Sequence, residues 1–310
     1  MRTVTSPAMQ EIIGLLAARN RHRAEQPVSL EERRAGFSPA GRQYPIPADV
    51  SVSTVVADGI PVHRLSPPGV DPNRVLFYLH GGGYSLGSLR SHGELAARLG
   101  RASGMSVLVV DYRLAPEHPF PAALDDALTA WRWLCREQGQ EETTCAIVGD
   151  SAGGGLAVAL LVALRAAGDA LPVGAALMSP WSDLSCSGES IHAAADPILS
   201  PEALRLLASA YLAGADATTP LASPLFASLE GLPPLLIQAG TDELLLSDSV
   251  RLAEAATSAG VEVRLQIAEG MPHVYQSMVG TPEAARATSE IADFLRRSAS
   301  GRTGREARFS

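Results

Sequence analysis

The stretch Ile147-Val148-Gly149-Asp150-Ser151-Ala152-Gly153-Gly154-Gly155 decides the fold. The apolar residues at 145–148 are typical of a buried strand in a parallel sheet, and the Ala- and Leu-rich residues 156–164 favour a helix. A glycine-flanked serine between a strand and a helix predicts a nucleophile elbow. In such a turn side chains at 149 and 153 would collide, and the strained serine exposes its hydroxyl beside the free N–H groups of the helix N-terminus.

The motif Gly-x-Ser-x-Gly alone is often only a turn of small residues. Here the flanking strand and helix favour the catalytic interpretation over that one. The serine hydroxyl is a weak nucleophile at neutral pH, so this interpretation requires a base from elsewhere in the chain.

Size and composition favour a single α/β domain and exclude several other classes of protein. The chain has 310 residues, 46% of them hydrophobic, and a formal net charge of −8, which disfavours nucleic acid or an anionic membrane as a partner. Three cysteines without a CxxC pair predict reduced thiols in a cytoplasmic protein, with no disulfide frame and no metal site. The N-terminus does not resemble a signal peptide, and the longest apolar run, 156–164, is shorter than the ~20 residues that span a bilayer.

Strand and helix patterns alternate along most of the chain. Two helices, over 8–22 and 29–37, precede a hairpin over 50–67 whose turn is Asp58-Gly59. After the hairpin the pattern predicts strands over 75–79, 107–110, 145–148, 174–179, 235–239 and 261–267, with helices over 92–103, 121–138, 156–164, 247–259 and 282–297. Such alternation predicts a mostly parallel central sheet with helices on both faces.

Two segments stand apart from this alternation. Residues 182–232 show no strand and one helix, over 201–213, which predicts an insertion above the carboxyl edge of the sheet, where α/β enzymes form their pockets. The first 45 residues are expected to form a helical arm, either a lid over the pocket or a cover for a sheet edge. We therefore predict an arm (1–45) that is part of a cap, a core (46–181 and 233–298), a cap insertion (182–232) and a disordered tail (299–310).

A histidine and a carboxylate follow the last two predicted strands. Of seven histidines, His273 is the best placed base, because it lies just past the last strand, at the edge of the sheet where the elbow emerges. The preceding strand ends in Gly240-Thr241-Asp242-Glu243, which offers two adjacent carboxylates. Neighbouring residues at a strand end point in different directions, so only one can orient His273, and spacing alone does not choose between them.

A glycine run, His80-Gly81-Gly82-Gly83-Tyr84, follows the first predicted parallel strand. Glycines let the backbone approach a ligand and aim N–H groups at it, so this loop and the N–H of Ala152 predict an oxyanion hole. The alternative, a phosphate-binding loop, is disfavoured because neither Gly-x-Gly-x-x-Gly nor a Walker lysine is present.

Four separated motifs together resemble one family, the hormone-sensitive-lipase-like esterases of bacteria (family IV). The motifs are 80–84 (HGGGY), 111–121 (DYRLAPEHPFP), 149–154 (GDSAGG) and 270–273 (GMPH). The resemblance spans about residues 45–297 and implies an α/β-hydrolase fold with a helical cap, carboxylesterase activity and no cofactor. It further implies that Ser151 is the nucleophile, that His273 is the base, and that the oxyanion donors are Gly82, Gly83 and Ala152.

The acid departs from the pattern of this family, in which it is usually the Asp of Asp-Pro-Leu. Counting back from Gly260 and from His273 leads to Glu243, whereas residue type favours Asp242. We predict Glu243, with Asp242 as the alternative.

The substrate and its pocket are predicted more coarsely. Candidate pocket walls are Tyr84, Trp181, Ile191, Ile198, Leu206 and Leu207, and a capped pocket favours small esters with short acyl chains or compact rings. A lactonase or amidase could use the same residues, and a ligand receptor on this fold is the alternative from another class. The charged residues Asp111, Arg113 and Glu117 are interpreted as an internal network that supports the elbow, and a homodimer is a possible assembly.

Overall fold

The computed structural model describes residues 5–25, 28–137, 144–193 and 196–306. Its sheet consists of β1 Ser51–Ala57, β2 Ile60–Ser66, β3 Asp71–Leu79, β4 Met105–Val110, β5 Cys145–Asp150, β6 Ala175–Met178, β7 Leu235–Asp242 and β8 Val263–Pro272. Its α-helices are α1 Pro7–Glu25, α2 Leu30–Ala35, α3 Leu89–Ser103, α4 Ala122–Glu137, α5 Ala152–Ala167, α6 Ser190–Ala193, α7 Pro201–Leu212, α8 Leu246–Ser258 and α9 Pro282–Glu306.

The strands form one eight-stranded sheet in the order β1-β2-β4-β3-β5-β6-β7-β8. The hairpin β1–β2 is antiparallel and joins β4 antiparallel, while the pairs from β4 onward are parallel. Side chains alternate between the two faces: Phe77 and Leu79 of β3 pack with α4, α5 and α8, whereas Leu76 and Tyr78 pack with α3 and α9. The predicted mostly parallel sheet with helices on both faces is therefore confirmed.

The N-terminal segment packs over the loop that follows β8. Met9 and Leu16 of α1 are fully buried against Met271, Tyr275 and Met278, and Ile198 of the 182–232 insertion packs on the same cluster. The backbone N–H and hydroxyl of Ser6 both donate to the carboxylate of Glu283 at the start of α9, at 2.7 and 2.8 Å. This segment therefore covers the residues around His273.

Two expectations are wrong in detail. Helix α9 continues to Glu306, so residues 299–306 are helical where a disordered tail was expected, because Ala299 extends the apolar stripe that packs on the sheet; residues 307–310 lie outside the described part. The charged residues after β4 do not pair with one another, since each meets a side chain from another element. Arg113 binds Asp126 of α4, Glu117 binds Arg34 of α2, and Asp111 lies 4.0 Å from His63.

Candidate active site

The turn between β5 and α5 holds Ser151 in a strained conformation. Its φ of 53° and ψ of −122° lie in a region that side-chain-bearing residues rarely adopt. A Cβ at Gly149 would collide with the carbonyl oxygen of Gly153, and a Cβ at Gly153 with that of Leu79, which explains both glycines. The N–H of Ser151 donates to Met178 O of the neighbouring strand β6 at 2.8 Å, so the sheet itself fixes the turn.

His273 meets Ser151 directly. It follows Pro272, the last residue of β8, and its Nε2 lies 2.9 Å from Ser151 Oγ. Both side chains are nearly buried, with Ser151 9% exposed at the floor of a cavity. A neutral imidazole at this distance can accept the hydroxyl proton and make Oγ a nucleophile.

Glu243, and not Asp242, turns toward His273. The fully buried Glu243 places Oε2 3.8 Å from His273 Nδ1, whereas Asp242 is exposed and accepts a hydrogen bond from the Thr241 hydroxyl. Glu243 is the first residue past β7, and its burial beside His273 distinguishes it from Asp242, the exposed last residue of the strand. Pairing of β7 with β8 reaches Asp242 and Pro272, so both strand ends arrive together.

Sequence reasoning missed Ser179, which links the carboxylate to the histidine loop. Its hydroxyl donates to Glu243 Oε2 at 2.7 Å and accepts the Val274 N–H at 3.0 Å. The only sequence signal is its position just past the end of β6, at the carboxyl edge where the other site residues lie.

The surroundings of His273 raise its pKa. Burial lowers the pKa of the ring, but the Glu243 carboxylate, and less strongly Asp196 and Asp150, outweigh burial and bring it above the ordinary 6.5. The same carboxylates stabilise the imidazolium that forms when the ring takes up a proton.

Three backbone N–H groups belong to residues that adjoin Ser151 or line the cavity with it. Gly82 and Gly83 line the same cavity as Ser151 and His273, and Ala152 is the first residue of α5. Within the described ranges, none of these three N–H groups donates a hydrogen bond to the protein, as expected of donors kept for an oxygen of the ligand.

The cavity above Ser151 has a volume of about 380 Å³ and mostly apolar walls. It is lined from the N-terminal segment by Phe37 and Val28, and from the 182–232 insertion by Ile198, Leu199, Leu204 and Leu207. Of the six predicted wall residues, Trp181, Ile198 and Leu207 line it.

The other three predicted wall residues lie elsewhere. Tyr84 is buried in the core, where its ring stacks on Tyr211 with centroids 3.7 Å apart, and Ile191 is a core residue as well. Leu206 is 71% exposed, because its neighbour Leu207 faces the cavity and successive helical residues point about 100° apart.

Residues 76–277 match the family of the α/β-hydrolase fold. The chain belongs to this family. Similar curated proteins include an acetyl-hydrolase of Streptomyces hygroscopicus (47% identical over 234 residues, 74% of this chain and 77% of the relative) and the carboxylesterase NlhH of Mycobacterium tuberculosis (37% over 259 residues, 79% and 81%). A solved esterase of the bacterial hormone-sensitive lipase family superposes with a TM-score of 0.90 at 40% identity, covering 96% of this chain and 100% of that one. The resemblance to hormone-sensitive-lipase-like esterases is thus confirmed, and the protein is a serine ester hydrolase.

In this esterase a buried charge network supports the glycine loop, and sequence reasoning missed it by treating Asp150 only as a variable position of the elbow. Asp150 Oδ1 accepts the N–H of Gly81 at 3.1 Å and the hydroxyl of Tyr78 at 2.7 Å, while Oδ2 lies 3.3 Å from His92 Nε2. Burial raises the pKa of Asp150, but His92 and Tyr78 outweigh burial and bring it below 3.8, so the carboxylate stays charged. Asp150 therefore joins the serine turn to the loop that carries Gly82 and Gly83.

His80, the first residue of the glycine loop, is buried and uncharged. It stacks on Tyr112 with ring centroids 4.3 Å apart, and burial lowers its pKa to about 3.

Among the helices of the described residues, none is both long and apolar enough to cross a membrane.

Proposed function

We propose that this esterase cleaves carboxylic esters in two steps through an acyl intermediate on Ser151. His273 takes the hydroxyl proton as Ser151 Oγ attacks the ester carbonyl, and the N–H groups of Gly82, Gly83 and Ala152 receive the oxyanion. His273 then protonates the leaving alcohol, and a water molecule, deprotonated by the same ring, releases the acid. The observation that carries this proposal is the 2.9 Å contact between His273 Nε2 and Ser151 Oγ.

Glu243 is the proposed acid of this triad. The 3.8 Å between its Oε2 and His273 Nδ1 exceeds hydrogen-bond distance. Such contacts often shorten only when charge develops on the imidazole. Its role is to hold the ring with Nε2 toward Ser151 and to stabilise the imidazolium.

We propose that the N-terminal segment and the 182–232 insertion together form the cap, since both contribute cavity walls. A cavity of about 380 Å³ with apolar walls suits short or compact acyl groups better than long lipid chains. A lactone or an amide could be attacked by the same residues, but the names of the similar proteins favour esters. That the protein is cytoplasmic, forms homodimers and binds no nucleic acid stays a prediction.

The test is a panel of p-nitrophenyl esters of increasing chain length, with Ser151→Ala as the control. We expect turnover of the butyrate, slower turnover of the laurate, labelling of Ser151 by a fluorophosphonate, and loss of turnover in Ser151→Ala. Turnover by Ser151→Ala at the wild-type rate would contradict the mechanism. Faster cleavage of laurate than of butyrate would contradict the assignment of short substrates.

A further inference from the structure

Two arginines of the N-terminal segment reach the cavity that holds Ser151. Arg19 of α1 and Arg33 of α2 line it together with Asn20. The acidic residue in the same lining is Asp150, whose carboxylate is engaged by Gly81, Tyr78 and His92. Asp150 is therefore not the partner of Arg33.

Among the residues that the structure describes, Arg33 has no partner for its charge. It is half-buried, and within the described residues it makes no ion pair and no side-chain hydrogen bond. Its acidic neighbours are directed elsewhere: Glu32 caps its own helix at Ser29, and Glu117 binds Arg34 at 2.7 Å. Glu31 stands two positions away, a spacing at which helical side chains do not face each other.

Several other arginines of this chain pair with carboxylates, two of them partly buried (Arg98 and Arg251) and one exposed (Arg113). Arg98 lies 3.0 Å from Glu94, Arg113 lies 2.7 Å from Asp126, and Arg251 lies 2.8 Å from Asp183. No nitrogen of the Arg33 guanidinium is fully buried, so the group stays accessible beside the cavity, and an anion bound there gains a charge-assisted contact. The guanidinium fork also matches the geometry of a carboxylate.

We propose that the site takes esters that carry a carboxylate away from the scissile bond, and that Arg33 binds this carboxylate. Arg19 lines the same wall, and its Nη1 donates to Ser38 O at 3.3 Å. The inference rests on the proposed esterase function and narrows its substrates to half-esters of dicarboxylic acids or esters of hydroxy acids. In a half-ester the carboxylate lies on the acyl side of the scissile bond. In an ester formed by the hydroxyl of a hydroxy acid it lies on the alcohol side.

The experiment compares matched neutral and anionic esters by pH-stat measurement of kcat/KM. The acyl-side pair is ethyl hexanoate and monoethyl adipate, and the alcohol-side pair is methyl 4-acetoxybutanoate, read by acetate release, and 4-acetoxybutanoate. The proteins are wild type, Arg33→Gln, Arg33→Lys and, as a matched control, Arg21→Gln, which removes the same charge at an exposed position of α1 outside the cavity.

We expect Arg33→Gln to lower kcat/KM for the anionic ester of at least one pair by about 5- to 30-fold, the effect of one charge-assisted contact at a partly exposed site. The neutral esters change less than about twofold, Arg33→Lys retains part of the preference, and Arg21→Gln changes neither ester. Added salt lowers the rate on the anionic ester in wild type but not in Arg33→Gln.

Equal effects on neutral and anionic esters, or no effect on either anionic ester, would overturn the assignment to Arg33. That result leaves the esterase function intact, since the neutral esters are still cleaved at Ser151. Failure of Ser151-dependent cleavage of the neutral esters would instead refute the proposed function.

Discussion

At the end of β7 two adjacent carboxylates have opposite surroundings. Glu243 is fully buried, and its Oε2 accepts the Ser179 hydroxyl and faces His273, while Asp242 stands in solvent. The Glu243 charge raises the pKa of His273 against the effect of burial, and we propose that the same side chain orients the ring.

We therefore expect Glu243→Gln to lower kcat by roughly 10²- to 10⁴-fold, as loss of the orienting charge does in comparable triads. The base works only when neutral, so kcat/KM falls as pH falls through the pKa of His273, which in wild type lies above 6.5. Without the Glu243 charge this acid limb moves to lower pH. The measurement is the pH profile of kcat/KM with p-nitrophenyl butyrate.

Asp242→Asn is the control for that prediction. The side chain of Asp242 is exposed and accepts a hydrogen bond from Thr241, so kcat and the acid limb of Asp242→Asn should match wild type. The opposite pattern, a large loss in Asp242→Asn and none in Glu243→Gln, would assign the acid to Asp242.

The Asp150 carboxylate is the other residue on which the site geometry depends. Asp150→Ala removes the acceptor of the Gly81 N–H, so the oxyanion donors Gly82 and Gly83 lose their support. We expect kcat to fall by about 10²-fold with a smaller change in KM, because misplaced oxyanion donors act on the transition state. The amide oxygen of Asp150→Asn keeps an acceptor for Gly81 and should retain most of kcat; equal losses in both variants would mean that the negative charge matters, not the hydrogen bond.

Among the elements, helix α7 sets the depth of the cavity. Leu207 lies against the glycine loop, where a Cβ on Gly83 would come 2.6 Å from its Cδ1, whereas Leu206 is exposed. Leu207 therefore forms the cavity wall next to the glycine loop.

We expect Leu207→Ala to shift the preference toward longer acyl chains. The space released would raise the ratio of kcat/KM for p-nitrophenyl hexanoate over butyrate by about fourfold per methylene group newly buried, at ~0.8 kcal/mol each. Leu206→Ala removes the same atoms outside the cavity and should leave the ratio unchanged. An unchanged ratio in Leu207→Ala would show that α7 does not limit chain length.

The elements that could be predicted from the sequence are those whose backbone imposes a residue type. The serine turn needs small residues at 149 and 153. The glycine loop and the buried strands that alternate with helices are equally easy to recognise in the sequence. The prediction of Glu243 rested on the count from Gly260 and His273, because residue type alone favours Asp242 and the different burial of the two carboxylates appears only in the folded chain. Likewise Asp150 and His92 meet only in the folded chain, as do Tyr84 and Tyr211, which stack in the core.

In the whole molecule, the catalytic loop, meaning residues 271–278 around His273, is packed between the sheet and the N-terminal segment. Helix α1 covers Met271 and Tyr275, on either side of His273, and one turn past Leu16 it places Arg19 and Asn20 in the cavity wall. Asn20 also donates to Pro197 O of the insertion at 2.6 Å, which ties the two proposed halves of the cap together. Docking of α1 therefore affects both the shape of the cavity and the surroundings of the base.

Leu16→Ala tests whether this docking supports activity. Leu16 is fully buried, so its truncation should weaken the attachment of α1 by about 2–4 kcal/mol, seen as faster hydrogen exchange in α1. Since the loosened helix carries part of the cavity wall, we expect KM for p-nitrophenyl butyrate to rise several-fold while exchange in β5 and α5 stays slow. Leu15→Ala, at a neighbouring position that is 59% exposed, should change neither the exchange nor KM. Faster exchange in α1 with an unchanged KM would mean that the helix covers the catalytic loop without shaping the substrate cavity.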